Sequence, residues 1–240
     1  MYKEIEDFKK EMGIKKIAGL MMLHYFKWPW CLKEFSFYVD EIYLLLHYSP
    51  KFKEEWPKKY PKVTDYIEEN VSEEWNVMEW RENQGIFREK LIRRLDNIKP
   101  QLVFFPDEDE SFPEPEYLVK DLRRFYKSNK KQLAFKRCNF WDSMEMVRKD
   151  KWITYYPHVK IYKWDKNLSY IPYTGFNRVT TYGKKRMVAR TVIKHYAYMN
   201  KKEREWRYNE LYREKQKKFK GLMDKPTLVR YTDPIHAPRT

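Results

Sequence analysis

The feature that most constrains this fold is a stretch of 37 residues, 184–220, that contains neither proline nor glycine. These two residue types interrupt helices most strongly, so an uninterrupted stretch of this length favours one continuous helix. Gly221 follows it and is a typical helix end. At about 1.5 Å per residue, such a helix reaches on the order of 50 Å, which is longer than a small domain is wide. We therefore predict one long helix over residues 184–221.

The same stretch carries most of the positive charge. Residues 184–220 contain 14 lysines and arginines against four acids, and the whole chain has a net charge of +15. Concentrated like charge repels itself unless an anionic partner neutralises it. Interleaved tyrosines and Trp206 can stack on unpaired bases while basic side chains meet phosphates. We predict that this helix binds RNA through Lys184, Lys185, Arg186, Arg190, Lys194, Lys201, Lys202, Arg204, Arg207, Arg213, Lys217 and Lys218.

The first hundred residues have the spacing of amphipathic helices. Apolar side chains recur at helical intervals over residues 31–48, and Pro50 follows directly after Ser49. Similar patterns predict helices at about 62–71 and 73–97, the latter ending before Pro100. Residues 1–105 are therefore predicted to form a helical body.

An acidic segment follows the helical body. Residues 106–116 contain three prolines and six acids, a composition that does not favour burial. Asp107, Glu108, Asp109 and Glu110 offer oxygen ligands to a metal, but calcium loops need alternating ligand positions and a glycine-permitted turn. We interpret the segment as a solvated linker and predict no metal site.

The remaining chain completes a mainly α fold, which is a helical bundle with a small β-hairpin or meander and an extended C-terminal tail. β-Branched and aromatic residues predict the β element, and three prolines mark the tail. The predicted segments after the linker are a helical pair at 117–150, the β element at 151–183, the long basic helix at 184–221 and the tail at 222–240.

Several classes of chemistry find no support in the sequence. The six glycines are at least six residues apart, which excludes a glycine-rich phosphate loop. Cys31 and Cys138 form neither a disulfide framework nor a thiolate zinc site, and the five histidines are scattered. No apolar run approaches the length that spans a bilayer. We predict a protein that is not an enzyme and that needs no cofactor.

Charge and aromatic content together favour a subunit of a large assembly. The aromatic side chains suit interfaces, and we predict protein contacts through Trp28, Trp30, Trp56, Trp75 and Trp80. The leading hypothesis is a non-catalytic ribosomal protein that contacts rRNA or another anionic surface and several protein subunits. The alternatives are an accessory subunit of a respiratory-chain or ATP synthase complex, peripheral to the membrane, and a microtubule- or filament-associated protein. We expect a mitochondrial location, or otherwise a cytoplasmic one.

Overall fold

A computed structural model describes residues 1–24, 27–47, 59–69, 77–148, 157–170, 181–183, 185–211, 223 and 226–231. The strands are β1 (Ile17–Leu23), β2 (Glu41–Leu46), β3 (Val63–Glu68), β4 (Leu102–Phe104), β5 (Glu110–Ser111), β6 (Gln132–Asn139), β7 (Met146–Arg148), β8 (His158–Lys163), β9 (Met187–His195) and β10 (Leu228–Arg230). The helices are α1 (Lys3–Met12), α2 (Pro29–Phe35), α3 (Val77–Arg93), α4 (Pro115–Lys127) and α5 (Lys201–Trp206), and a π-helical turn (Arg207–Leu211) follows α5.

Eight of the strands form one mixed sheet in the order β3-β2-β1-β4-β8-β6-β9-β5. The first four strands are parallel, and β8 is antiparallel to both β4 and β6. Strand β9 is parallel to β6, whereas β5 is antiparallel to β9. Six strands, β1 to β4, β6 and β9, therefore end at the same edge of the sheet. We call it the carboxyl edge.

Strands that follow β1 in the sequence lie first on one side of it and then, from β4 onward, on the other. From β1 the chain moves outward through β2 to β3, and then returns to place β4 on the other side of β1. This arrangement is a topological switch point, where the loops after the two strands diverge and leave a crevice. The carboxyl edge at β1 and β4 is therefore the first place to look for a binding site.

Both faces of the sheet are covered. All seven residues of β1 are buried, as expected for a parallel strand that lies between two helical layers. Its odd-numbered apolar residues pack with Phe8 of α1 and Leu122 of α4, and its even-numbered ones pack with Leu91 of α3. A Cβ added to Gly19 would lie 2.7 Å from the Phe35 ring. The glycine thus lets α2 lie directly on β1.

The prediction of a mainly helical protein is wrong. Residues 31–48 divide into the C-terminal part of α2 and strand β2, and the predicted helix at 62–71 is strand β3. The second part of the predicted helical pair at 117–150 contains strands β6 and β7. These runs are short and apolar, and periodicity alone does not distinguish a buried strand from a buried helix. Hydrogen bonding to neighbouring strands makes these segments strands rather than helices.

The predicted long helix is also wrong. Residues 187–195 form β9, which lies between β6 and β5, and only the six residues Lys201–Trp206 continue as an α-helix before the π-helical turn. β-Branched Val188, Thr191, Val192 and Ile193 favour the strand conformation. The remainder of the predicted helix, from residue 212 onward, lies outside the described residues.

The structure also shows where the predicted acidic linker, the β element and the C-terminal tail lie. Residues 106–113 are largely buried and include β5, so their carboxylates are not solvated. Within 151–183, strand β8 joins the central sheet, and residues 151–156 and 171–180 lie outside the described part of the chain. In the tail, β10 pairs with β7. Among the described residues, no helix has the length and apolar character needed to cross a membrane.

Candidate functional site at the carboxyl edge

A buried acidic turn lies at the switch point directly after β4. The turn consists of Asp107, Glu108, Asp109 and Glu110, and the N–H of Glu110 donates to the carbonyl of Asp107 at 3.1 Å. The Glu108 carboxylate accepts from the backbone N–H of His24, the residue after β1, at 3.1 Å. This bond joins the loops on the two sides of the crevice. The turn is therefore part of the carboxyl edge.

Three cationic side chains hold Asp107 and Glu110. Lys160 of β8 places its Nζ 2.8 Å from Asp107 Oδ2 and 2.5 Å from Glu110 Oε2. Arg137 of β6 donates to the same two carboxylates, at 2.8 Å to Asp107 and 2.7 Å to Glu110. Arg88 of α3 donates to Asp107 Oδ1 at 2.7 Å. We call these five residues the ion cluster.

The ion cluster lies inside the protein. The side chains of Lys160 and Glu110 are fully buried, and that of Arg88 is 3% exposed. Buried charges are tolerated only when partners replace the lost water, and each carboxylate here has more than one cationic partner. Strands β8 and β6 supply two of the partners, so the formation of the sheet brings the opposite charges together.

A second group of polar side chains surrounds Asp109. Arg207, the first residue of the π-helical turn, places a guanidinium nitrogen 3.4 Å from Asp109 Oδ2, and His195 at the end of β9 places Nε2 3.7 Å from the same oxygen. His195 Nδ1 lies 2.6 Å from Asn139 Oδ1 at the end of β6. An amide oxygen only accepts, so Nδ1 carries the proton and Nε2 faces Asp109 with its lone pair.

The two titratable groups of this second cluster have shifted pKa values. Burial raises the pKa of Asp109 from 3.8 to about 6; Arg207 opposes that rise, and the charges of Asp107 and Glu110 add to it. Burial, followed by the charges of Arg137 and Arg207, holds the pKa of His195 well below its ordinary value. At neutral pH, His195 is therefore uncharged and Asp109 is close to its titration range.

Tyr198 keeps this second cluster in place. Its ring packs against that of His195 with centroids 5.0 Å apart, and the Arg207 guanidinium lies 5.8 Å from the centroid of the same ring. The Tyr198 carbonyl accepts from Arg204 at 2.7 Å, and Arg204 stacks on the buried Trp141 at 4.2 Å. Both His195 and Arg207 thus depend on packed neighbours for their positions.

Polar side chains also line the β1–β2 end of the carboxyl edge. His24 follows β1 and His47 follows β2, with ring centroids 5.6 Å apart, and Phe87 of α3 lies 5.2 Å from His47. Gln84 precedes Arg88 by one helical turn, so the two share a face of α3. The Gln84 side chain is buried, and its Nε2 has no hydrogen-bond partner among the described residues. A buried amide without a partner is suited to bind a ligand.

The acidic turn fits a divalent cation poorly. Asp107, Asp109 and Glu110 each place a carboxylate oxygen within 4.8 Å of the others, a spacing that would allow one shared ion. Both oxygens of Asp107 and both of Glu110, however, already accept from Lys160, Arg137 or Arg88. A divalent cation at this point would therefore have to displace a buried cationic partner.

The structure separates the basic residues that were predicted to form one RNA-binding face. Lys185, Arg186 and Arg190 are exposed at β9 or just before it, whereas Arg204 and Arg207 are buried. Lys194 pairs with Glu114 at 2.9 Å. Lys201 and Lys202 are exposed in α5. Lys184, Arg213, Lys217 and Lys218 lie outside the described residues.

The tryptophans predicted to make protein contacts also differ in position. Trp28 is buried within the protein, and Trp30 is 37% exposed beside Tyr196. Trp80 lies in α3, and Trp56 and Trp75 are outside the described residues. The predicted protein partners and the predicted compartment are not tested by these positions and stay predictions.

Sequence analysis did not identify Asp109, His195 and Arg207 as one site. They come from three distant parts of the chain, so no local spacing joins them. One signal was available: the acids follow directly after the apolar run Leu102–Phe105. Acids at the end of a short buried strand indicate a sheet edge better than a linker.

Comparisons with known proteins identified similar structures but no family. No protein-family model and no curated protein matches this sequence. A 4-diphosphocytidyl-2C-methyl-D-erythritol synthase from Anaerococcus prevotii is similar, with 13% identity and a TM-score of 0.35 over 68% of this chain and 73% of that one. Another structure of a synthase with that name has 7% identity and a TM-score of 0.38 over 62% of this chain and 74% of that one.

A third similar structure is glucosyl-3-phosphoglycerate synthase from Mycobacterium tuberculosis, in complex with Mn²⁺, uridine diphosphate and phosphoglyceric acid. It has 16% identity and a TM-score of 0.34, and the match covers 58% of this chain and 48% of that one. Similarity at these scores assigns neither a substrate nor an activity to this chain.

The prediction of a non-catalytic structural subunit, ribosomal, respiratory or filament-associated, is wrong. It depended on a long basic helix, and the structure has strand β9 in that place. It also depended on solvated acids, and these are buried among shifted titratable groups at a switch point.

Proposed function

We propose that this protein is an enzyme that transfers a group from a nucleotide-activated donor to an acceptor hydroxyl. The main support for the proposal is that Asp109, His195 and Arg207 lie close together at the carboxyl edge. Burial there raises the pKa of Asp109 to about 6. Shifted titratable groups that converge from distant parts of a chain are typical of active sites.

The position of the crevice supports a nucleotide ligand. In open α/β sheets, ligands bind outside the carboxyl ends of the strands at the switch point, and nucleotides are frequent among them. His24, His47 and the amide of Gln84, whose Nε2 lacks a partner in the described part of the chain, lie at or beside this edge. These groups can donate to and accept from a heterocyclic base, and Phe87 adds an apolar surface.

Arg207 is the cation best placed to meet the phosphates. Its distances of 3.4 Å to Asp109 and 3.2 Å to Glu203 are longer than the bonds inside the ion cluster. A guanidinium binds phosphate oxygens in a planar, bidentate manner. Arg207 would then neutralise the charge that develops on the leaving phosphate.

Asp109 is the group suited to accept the proton of the acceptor. A carboxylate with a pKa of about 6 is largely ionised at neutral pH and is a stronger base than an ordinary aspartate. It takes the hydroxyl proton as the acceptor oxygen bonds to the transferred group, and the donor phosphate departs with its electron pair. His195, uncharged and held by Asn139, lies beside the carboxylate and adds no positive charge that would weaken it as a base.

The test joins a binding measurement to a kinetic one. Calorimetry with UDP and CTP, which both carry a pyrimidine and a phosphate chain, measures binding, and the release of UDP from UDP-glucose measures slow transfer to water. We expect Asp109→Asn to retain nucleotide binding and to lose about 100-fold or more in rate. Asp7→Asn is the matched control, because Asp7 lies on the exposed surface of α1.

Two results would overturn the proposal. One is that the wild-type protein binds neither nucleotide. The other is that Asp109→Asn and Asp7→Asn release UDP at the same rate as the wild type. In the expected case, the wild-type rate rises with pH and levels off above a pH of about 6, because Asp109 must be ionised to act as a base.

A further inference from the structure

Lys160 occupies the point that a shared metal ion would take. Its Nζ lies between Asp107 Oδ2 and Glu110 Oε2, at 2.8 and 2.5 Å. These two oxygens belong to the carboxylates that lie close enough together to share an ion. The Lys160 side chain is fully buried, so bulk solvent does not compete with the carboxylates for its ammonium.

The backbone fixes Lys160 in this place. Strand β8 pairs with β4, and the Lys160 carbonyl accepts from the N–H of Phe105, two residues before Asp107, at 2.7 Å. The Lys160 Cα therefore lies next to the acidic turn, and strand pairing holds the backbone in that position. Arg137 lies on β6, the next strand, and spans the same two carboxylates from there.

The positive charges of the ion cluster outnumber the negative ones. Asp107 and Glu110 contribute two negative charges, and Lys160, Arg137 and Arg88 contribute three positive ones. A divalent cation would have to displace a buried ammonium or guanidinium and leave it without its partner. That exchange is unfavourable, because an unpaired buried charge is strongly destabilising.

We propose that Lys160 is a built-in cation that takes the place of a divalent metal, so that this site binds its nucleotide without added metal. The part about the nucleotide rests on the proposed function, whereas the exclusion of a divalent ion by Lys160 does not. The proposal implies that removal of the ammonium creates a metal site from carboxylates that are already together.

The test measures Mn²⁺ binding by electron paramagnetic resonance, in which bound Mn²⁺ loses the sharp signal of the free ion. Four proteins are titrated with Mn²⁺ in the absence of UDP: the wild type, Lys160→Gln, Asp107→Asn and the control Lys163→Gln. UDP binding is measured separately. Lys163 lies on the same strand, but its ammonium donates to the carbonyls of Tyr126 and Ser128, away from the ion cluster. Circular dichroism confirms that each variant is folded.

We expect wild type, Asp107→Asn and Lys163→Gln to leave the free Mn²⁺ signal unchanged and Lys160→Gln to bind one equivalent. The affinity of Lys160→Gln for Mn²⁺ should exceed that of the wild type about tenfold or more. We also expect UDP to bind the wild type equally well in the presence of Mn²⁺ and of a chelator.

Either of two results would overturn the inference. The first is that the wild type binds one Mn²⁺ and loses it in Asp107→Asn. The second is that folded Lys160→Gln gains no Mn²⁺ site. If Lys160→Gln does not fold, Lys160→Met replaces it, because that change also removes the ammonium and keeps the length of the side chain. A failure of UDP to bind any of the proteins contradicts the proposed function and leaves the Mn²⁺ result unaffected.

Discussion

Replacement of Lys160 by methionine tests how the ion cluster contributes to folding. The ammonium is fully buried and contacts two carboxylates at 2.8 and 2.5 Å, so methionine leaves both with one cation fewer. Removal of one partner from a buried ion pair destabilises a protein by about 3–5 kcal/mol. For a chain of this size, about 1 kcal/mol lowers Tm by roughly 2–4 °C, which predicts a decrease of about 6–20 °C.

The assay is urea unfolding followed by circular dichroism, with a matched surface variant. Lys131→Met removes a lysine that pairs with Asp165 at 2.5 Å but is 49% exposed, and such pairs contribute about 1 kcal/mol or less. We expect Lys160→Met to lower the urea midpoint clearly more than Lys131→Met, with an unchanged slope. Most proteins have about 5–15 kcal/mol of stability, so the variant should still fold.

The pH dependence of this variant gives a second check on the reasoning. Without the ammonium, Asp107 and Glu110 each lose one cationic partner, which disfavours their charged forms in the folded variant. The stability deficit of Lys160→Met should therefore shrink as the pH is lowered from 7 to about 4. A deficit below about 1 kcal/mol at pH 7, or one that does not change with pH, would show that the ammonium does not hold the two carboxylates.

Two further predictions concern Asp109 and Gly19. Because the pKa of Asp109 is raised from 3.8 to about 6, the folded state binds the proton more tightly, and stability falls as the pH rises from about 4 to 6. Asp109→Asn should therefore be more stable than the wild type at pH 8, by up to about 3 kcal/mol in urea titrations. This difference in stability should disappear near pH 4. A difference that is the same at both pH values contradicts the burial of an ionised carboxylate. Gly19→Ala should lower stability by about 1–3 kcal/mol, because the new Cβ would lie 2.7 Å from the Phe35 ring, and Phe35→Leu should restore part of the loss in thermal melts.

Local signals were sufficient for two of the helices. Helix α4 begins at Pro115, and its buried Leu118, Leu122 and Phe125 recur at helical spacing, so it coincides with the first part of the predicted helical pair at 117–150. Helix α3 lies within the predicted helix at 73–97. In both segments, the residues that determine the structure are neighbours along the chain.

Strand β9 shows where local signals were not sufficient. Residues 187–195 contain no helix-breaking residue, so the absence of proline and glycine was taken to predict a helix. The segment pairs with β6 on one side and β5 on the other, and these partners lie about fifty and about eighty residues away in the sequence. Strand pairing of this kind depends on distant residues and overrides local propensity.

Only the tertiary structure brings the residues of the candidate site together. The sequence determined that four acids follow a short apolar run and that basic residues outnumber acids in the second half of the chain. It did not determine that Lys160 and Arg137 would meet Asp107 and Glu110, or that His195 and Arg207 would meet Asp109. An acid next to prolines is normally solvated, because burial of its charge is unfavourable without a partner. Here the distant strands β6 and β8 supply those partners. The acidic segment is buried because the fold of the sheet places these cationic side chains next to it.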